Sequence, residues 1–573
     1  MGTSGARTGY KVFSITTTIR NPQRNTDFLE TFKRFDGNVM DDENLFVYLT
    51  ELVKRGIYKF QNVPESIKAK LDADEELSHD EVALLVELNP QATGWSGRVK
   101  TQLRGLKDQG FLRFDDDDKI RITPLGNELL ANKQDVSFVY TRAMLGMHYF
   151  SPCRTSAFNR AVPFLNTLFV IDEVNREWQK LGEQPKGILR HEFGVFVLSM
   201  TDCNYKKAAR DIIEYRKKYR YEQNPEVFEK YLLDNGVLPL AHKTVVQDYP
   251  DEVFRKFEMT GLIVQHGAFN YIYYNFSQYN LEKIKALLDM YADYSFKEFQ
   301  NQDEYYEYLS SIKLPWEDSE KIRRKIVDTK AAVLKMTPSP SLSLEDQEAF
   351  LDRMFYTKAL AKAVQRVDLG VVYKELLILS GKDKSESKYT AIPEPLRLEY
   401  LLALALGKKF GVNGLISNII YNEEGYPLHC APSGKCDIIY LHNDGAYIIE
   451  PTMQRGRNQQ LNSETTNVVR HVEAEKREND LDYRVMMVAP YVHPDVIDYF
   501  QYQIHSSKTK IMTLTIDRTV GLLVDSETVA SLADNFDEIL TWFSSLSRQE
   551  VADTLNSYNI RTNKNFIQQD AGD

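Results

Sequence analysis

The 573-residue chain has little cysteine: four thiols, Cys153, Cys203, Cys430 and Cys436, and no Cys-x-x-Cys pair. That scarcity excludes a disulfide scaffold and fits reduced thiols. His429, Cys430 and Cys436 lie near one another, but their spacing matches no common zinc pattern and reads as packing in a loop and a strand. No apolar run reaches the roughly 18 residues that a membrane span needs. The opening "MGTSGARTGYKVFSITTT" lacks an apolar signal core, so the cytoplasm is the expected location. Low-complexity tracts and solenoid repeats are missing too. Positive charge is in deficit, with 71 Lys and Arg against 82 Asp and Glu and a net charge of −11. Any nucleic-acid contact must therefore rest on local basic patches.

Composition is otherwise that of a globular chain, with 43% hydrophobic and 27% charged residues, and the length suggests several domains. One basic patch stands out: residues 141–220 carry 14 Lys and Arg against 8 Asp and Glu, ending in "YKKAARDIIEYRKKYR". Arg154, Arg160 and the "KKYR" cluster are expected to position a phosphate backbone.

Residues 82–130 read as helix, helix, hairpin. Ser96 is the expected cap of the second helix, in which Val99, Leu103 and Leu106 recur at helical spacing. "FLRF", an acidic turn Asp115 to Asp118 and "KIRIT" follow as two strands. This is the order of a winged helix, and Arg98, Lys100, Arg104 and Lys107 decorate the helix that could enter a major groove. Arg20 and Arg24 in "TTIRNPQRN" are further candidates for DNA contact.

A fainter echo, helix, strand, turn, strand, helix, spans 252–290. Residues 281–336 read as helical, and "TPSPSLS" at 337–343 breaks the pattern as a linker would. Downstream come a helix opened by a Ser-x-x-Asp cap, then "IPEPLRLEYLLALALGKKFG" with Pro395 in its first turn and Glu399 among apolar neighbours. Two strands, helix 464–480, strand 483–489, helix 494–505 and strand 510–515 complete an α/β domain with a mixed sheet.

Chemistry concentrates in "GKCDIIYLHNDGAYIIEPT", residues 434–452. "DIIYL" and "AYIIE" are continuous apolar runs, the mark of strands covered on both faces, and "HNDG" between them is a tight turn. With a loop of Asn443-Asp444, or of all four residues His442 to Gly445, Asp437 lies directly opposite Glu450. With Asp444-Gly445 the two are diagonal neighbours on the same face. Either way their β-carbons are about 4.5–8 Å apart. Two carboxylates buried that close repel unless their pKa values rise or a divalent ion sits between them. Oxygen ligands with room for water favour magnesium, which can hold a phosphate oxygen and acidify a water for attack on phosphorus.

Asp, hairpin, Glu-x-Lys is the core of the PD-(D/E)xK nuclease fold, and the segment resembles it with two departures. Cys436 replaces the proline and Thr452 the lysine. Glu464 or His471, seven apart on the following helix, could take the lysine's role, with Lys476 a weaker candidate. The run from Asp437 through "VVRHVEAEKREN" to "YRVMMVAPYVHPDVIDYF" resembles more specifically the AlwI family of type IIS restriction endonucleases, which includes strand-specific nicking enzymes. The matching positions are Asp437, Glu450 with Thr452, Glu464, and Arg470 with His471. Glu399 matches a helix glutamate of that family's active site by position.

The resemblance implies a multidomain α/β protein with a winged-helix-like N-terminal recognition region, a helical linker and a C-terminal PD-(D/E)xK-type restriction-endonuclease-like domain. The expected segments are 1–140 and 141–290 for recognition, 291–343 for the linker and 344–573 for the nuclease. It further implies magnesium-dependent cutting of duplex DNA at a fixed distance outside a short asymmetric site, leaving 5'-phosphate and 3'-hydroxyl ends. One catalytic centre per chain cuts one strand, so double-strand cutting calls for transient dimerisation or a second nuclease subunit. The alternatives are a nicking enzyme, a catalytically inactive winged-helix DNA-binding protein, and a nuclease for RNA or branched structures.

Overall fold

The computed structural model describes residues 9–15, 19–55, 57–58, 60–72, 75, 77–90, 94–131, 136–154, 158–267, 271–430, 434–443, 445–479 and 481–557. The chain divides into two compact units, Met1–Leu45 with Thr93–Asp352, and Phe46–Ala92 with Arg353–Asp573.

In the first unit, helix α1 (Gly94–Asp108) buries Val99, Leu103 and Leu106, the apolar positions its spacing marks. It starts two residues before Ser96, so Ser96 does not cap it. The Ser96 hydroxyl donates instead to Asp42 Oδ1 at 3.0 Å. Strands β1 (Leu112–Phe114) and β2 (Ile120–Ile122) pair antiparallel, Leu112 opposite Ile122. The outer edge of β2 is taken up, since Gly37 N–H donates to Ile120 O at 2.8 Å and Ile120 N–H to Asn38 O at 2.9 Å.

The later echo has three strands, where two were expected. Ile188–Leu189 (β3) pairs with Tyr273–Phe276 (β5), which pairs with Ile263–His266 (β4). Nor is 281–336 one helical stretch: helices Leu281–Met290, Gln302–Ser311 and Glu320–Leu334 are separated. The first break has a packing cause. Phe296 and Phe299 leave the helical path to pack edge-on against the His148 ring, and Tyr294 OH donates to Asn166 Oδ1.

Helix α2 (Leu344–Arg366) opens as expected on Ser343, whose Oγ accepts from Asp346 N–H at 3.1 Å. In the second unit, α3 (Leu369–Ser380) and α4 (Glu394–Phe410), the latter with Pro395 in its first turn, lead into a five-stranded sheet. Its strands are β6 (Leu415–Ser417), β9 (Ile438–His442), β10 (Gly445–Pro451), β11 (Asp482–Ala489) and β12 (Lys510–Thr515), in the order β12-β11-β10-β9-β6. The short strands β7 (Ile420–Tyr421) and β8 (Pro427–His429) form a separate pair. β9 pairs antiparallel with both β6 and β10, whereas β10, β11 and β12 are parallel to one another. This is the mixed α/β sheet that the sequence implies.

The parallel part is joined by crossover helices α5 (Thr465–Glu478) and α6 (Pro494–Ser507). Consecutive residues Ala446 to Ile449 and Val485 to Ala489 are all buried, so both faces of the central strands are covered. Full burial of each Val, Ile or Met there is worth about 1.5–3 kcal/mol. Gly414 places β6: its φ is +84°, its carbonyl accepts from Leu441 N–H at 2.8 Å, and a β-carbon there would stand 2.1 Å from Leu441 O.

Candidate active site

β9 and β10 form the hairpin with Gly445 opposite His442 and Ile449 opposite Ile438. One step further in that register, Asp437 faces Glu450. Asn443 turns the chain with φ +50°, and Asp444, the other turn residue, lies outside the described residues. Asp437 stands immediately before β9, half-buried, with its backbone fixed from β6's side. Asn418 N–H donates to Asp437 O at 3.1 Å, and Asn418 Nδ2 donates to Cys436 O at 2.5 Å.

Glu450 is buried near the end of β10. His471 Nδ1 lies 3.3 Å from both of its carboxylate oxygens, and the buried Cys436 thiol lies in its field. Burial first, then the nearby Glu450, holds that thiol far above the usual range. Glu464 ends a π-helical turn, Gln460–Glu464, that feeds into α5. Gln460, fully buried, anchors the turn through its Nε2 to Gln454 O and Tyr491 O at 2.8 and 2.7 Å. Glu464 has helical backbone and caps α5, so Glu464 and His471 stand about two turns apart on that helix, as their spacing implies. Both side chains reach the field of Glu450.

Glu399 is buried on α4, which packs against β6, β9 and β10. Four carboxyl groups thus share one neighbourhood. Burial pushes the Asp437 carboxyl well up, and Glu399, Glu450 and Glu464 push it the same way. Burial and Glu450 raise Glu464 to about 7, with His471 acting against them. A cation entering beside Asp437 and Glu464 would relieve both elevations. Among the described residues, no three His, Cys, Asp or Glu side chains by themselves form a metal site. The donor set is a facing pair of carboxylates, which suits magnesium, an ion that takes one or two carboxylates and completes its shell with water and substrate phosphate. His429 is not part of it; its Nδ1 lies 3.0 Å from Cys430 O.

Thr452, where the lysine would stand, is buried, and its Oγ1 accepts from Gln454 N–H at 3.1 Å. Lys476 donates to Thr509 Oγ1 at 2.8 Å, so its ammonium is directed at the start of β12 rather than at this cluster. Sequence reasoning missed Asn418 and Gln460. Their partners are remote along the chain or sit in loops, and no local pattern betrays them.

Of the expected DNA contacts, Lys100 and Arg104 lie exposed on one face of α1, Lys100 3.9 Å from Asp42 and Arg104 4.0 Å from Asp108. Arg98 is half-buried on another face. Arg20 is half-exposed, 3.9 Å from Asp251, and Arg24 stacks over Phe28 at 5.2 Å. The five therefore do not form one cluster.

A family model described as AlwI restriction endonuclease matches residues 107–520, most of the chain. No curated protein matches the sequence. Among solved structures, the small subunit (R.BspD6I2) of the heterodimeric restriction endonuclease R.BspD6I is 18% identical over 31% of this chain and 93% of its own, with a TM-score of 0.26. Restriction endonuclease FokI is 11% identical over 96% of this chain and 99% of its own, with a TM-score of 0.22; FokI bound to DNA scores 0.21. Scores this low leave the fold to be judged from the sheet itself. No helix among the described residues is long and apolar enough to cross a membrane.

Proposed function

Because the chain belongs to the AlwI restriction endonuclease family, whose substrate is DNA, we propose that it is a magnesium-dependent type IIS endonuclease. It would read a short asymmetric duplex site and cut at a fixed distance outside it, leaving 5'-phosphate and 3'-hydroxyl ends. The observation that carries this reading is the hairpin register that sets Asp437 across from Glu450, with Glu464, Glu399 and His471 close enough to act on them.

In this reading Asp437 and Glu450 hold the magnesium. When bound, the ion supplies Lewis acidity to a phosphoryl oxygen and to water. His471 fixes the orientation of Glu450 from 3.3 Å. Glu464 or His471 orients the attacking water or takes its proton, the task that Thr452 cannot perform in place of lysine. Glu399 supports the cluster from α4. The first unit, with winged-helix-like elements, reads bases in the groove while the carboxylates meet only backbone, which divides specificity from chemistry.

The test is digestion of a plasmid with magnesium, followed by sequencing of product ends. A fixed offset from one repeated sequence is expected, and Asp437→Ala should abolish cutting while leaving DNA binding. Cutting retained in that variant would remove Asp437 from the mechanism. Breaks in one strand only would mark a nicking enzyme. Thr452 in the lysine position favours one second reading, a DNA-binding protein with a silent nuclease unit. That protein would retard DNA and yield no product with any divalent ion.

A further inference from the structure

Between α1, β1 and Arg154 the first unit holds a cavity of about 330 Å³. Lys100, Arg104 and Lys107 line it from a single helix face, at intervals of four and three residues. Arg154 faces them, and Leu103 and Phe114 supply apolar floor.

Arg154 is held in place from several sides. Its guanidinium stacks over Phe13 at 4.8 Å and Tyr149 at 5.5 Å. Its Nη2 donates to Ser14 O, and its Nε lies 3.7 Å from Asp108 Oδ2. Only 11% of the side chain is exposed, and Nη1 has no hydrogen-bond partner among the described residues. Nη1 is closed off from solvent, so the fixed guanidinium serves the cavity by its charge, which needs no reorganisation to meet an anion.

Charge in the cavity is positive. Four cations face two carboxylates, Asp108 beneath Arg104 and Arg154, and Asp42 at the Lys100 end. The acidic turn between β1 and β2 adds less repulsion than its sequence suggests. Asp115 is bound to Arg121 at 3.0 Å and Asp117 to Lys119 at 3.3 Å. The apolar floor strengthens the remaining field.

We propose that this cavity binds one backbone phosphate of duplex DNA, with Lys107 as its principal ligand and the fixed Arg154 charge behind it. The face of α1 toward Arg154 would then grip backbone instead of reading base edges. The inference rests on the endonuclease reading for its choice of ligand. A recessed arginine, unlike one projecting from a recognition helix, meets only a group that enters its pocket, and a phosphate oxygen does so while a base edge deep in a groove does not.

The test is binding of DNA by the full chain with calcium in place of magnesium, over a range of KCl concentrations. One duplex carries the site defined by product sequencing and a second is scrambled. Lys107→Gln, on a half-buried surface position, should weaken binding to both duplexes by the same factor. It should also make the slope of log affinity against log salt shallower by about 1. Arg154→Lys, which keeps the charge and loses the fork, should weaken both equally with the slope little changed. An unchanged affinity and slope in Lys107→Gln would overturn the inference. So would a loss confined to the cognate duplex, the mark of base reading. A wild-type chain that neither binds nor cuts any duplex would sink the endonuclease reading itself, and the inference with it.

Discussion

Glu464→Gln should make the protein more stable and less active. In the folded chain the Glu464 carboxyl is raised from 4.5 to about 7, by burial and then by Glu450. A raised carboxyl favours folding below its unfolded pKa and loses that advantage as pH climbs through the folded value. Stability contributed here is therefore full below about pH 4.5 and gone by about pH 7–8. At 1.36 kcal/mol for each tenfold step in acidity, the ionised group costs the folded state about 2–3 kcal/mol, allowing for its partial exposure. Glutamine removes the charge and most of that cost while nearly keeping the shape. Urea unfolding in EDTA, read as the fraction surviving a short proteolysis pulse, should show the variant about 2–3 kcal/mol ahead at pH 8 and level with the wild type near pH 4.5. Magnesium should narrow the gap, because a cation beside Asp437 and Glu450 relieves the same repulsion. An equal difference at both pH values would refute the reasoning, since only a packing effect would be that indifferent to protonation.

His471→Ala should lower kcat while leaving DNA affinity unchanged, because it frees Glu450 to rotate; single-turnover cleavage beside a binding titration reads both. His148, buried among aromatic rings, has its pKa lowered to about 4, chiefly by burial. A depressed histidine keeps its contribution above the unfolded value of 6.5 and loses it as pH falls toward 4. The first unit should therefore lose about 3 kcal/mol over that window, and His148→Gln should flatten the dependence. Glu192→Ala strands the Arg216 guanidinium, paired at 2.6 Å with both groups almost wholly buried, and should cost about 3–5 kcal/mol in the same urea assay.

Much of the nuclease sheet was legible in the sequence because its signals are local. The apolar runs before and after "HNDG" fix two covered strands, and a tight turn leaves few registers, so spacing put Asp437 and Glu450 on one face and the structure selects the directly facing register. Helix ends at Ser343 and Pro395 were readable from cap chemistry. Other features depend on distant partners. β6 joins β9 through a glycine that only the fold shows to be necessary, and β3 reaches β5 across more than eighty residues. The π-helical turn before Thr465 leaves no periodic trace, whereas the helical spacing that joins Glu464 to His471 was readable. Ser96 failed as a cap because the helix already begins at Gly94. The basic face of α1 and a backbone-positioning role for Arg154 were visible, but not that the two face one cavity, which depends on Arg154 stacking over Phe13 and Tyr149.

Whether two side chains on neighbouring strands share one hard cation is best asked with manganese, which can replace magnesium and reports its own binding by electron paramagnetic resonance. The wild-type chain should take up one tightly held ion per active centre without DNA, and Asp437→Asn and Glu450→Gln should each lose that same ion. Equal manganese uptake by all three proteins would show that these carboxylates hold no metal, and the assignment of the hydrolytic centre to them would fail.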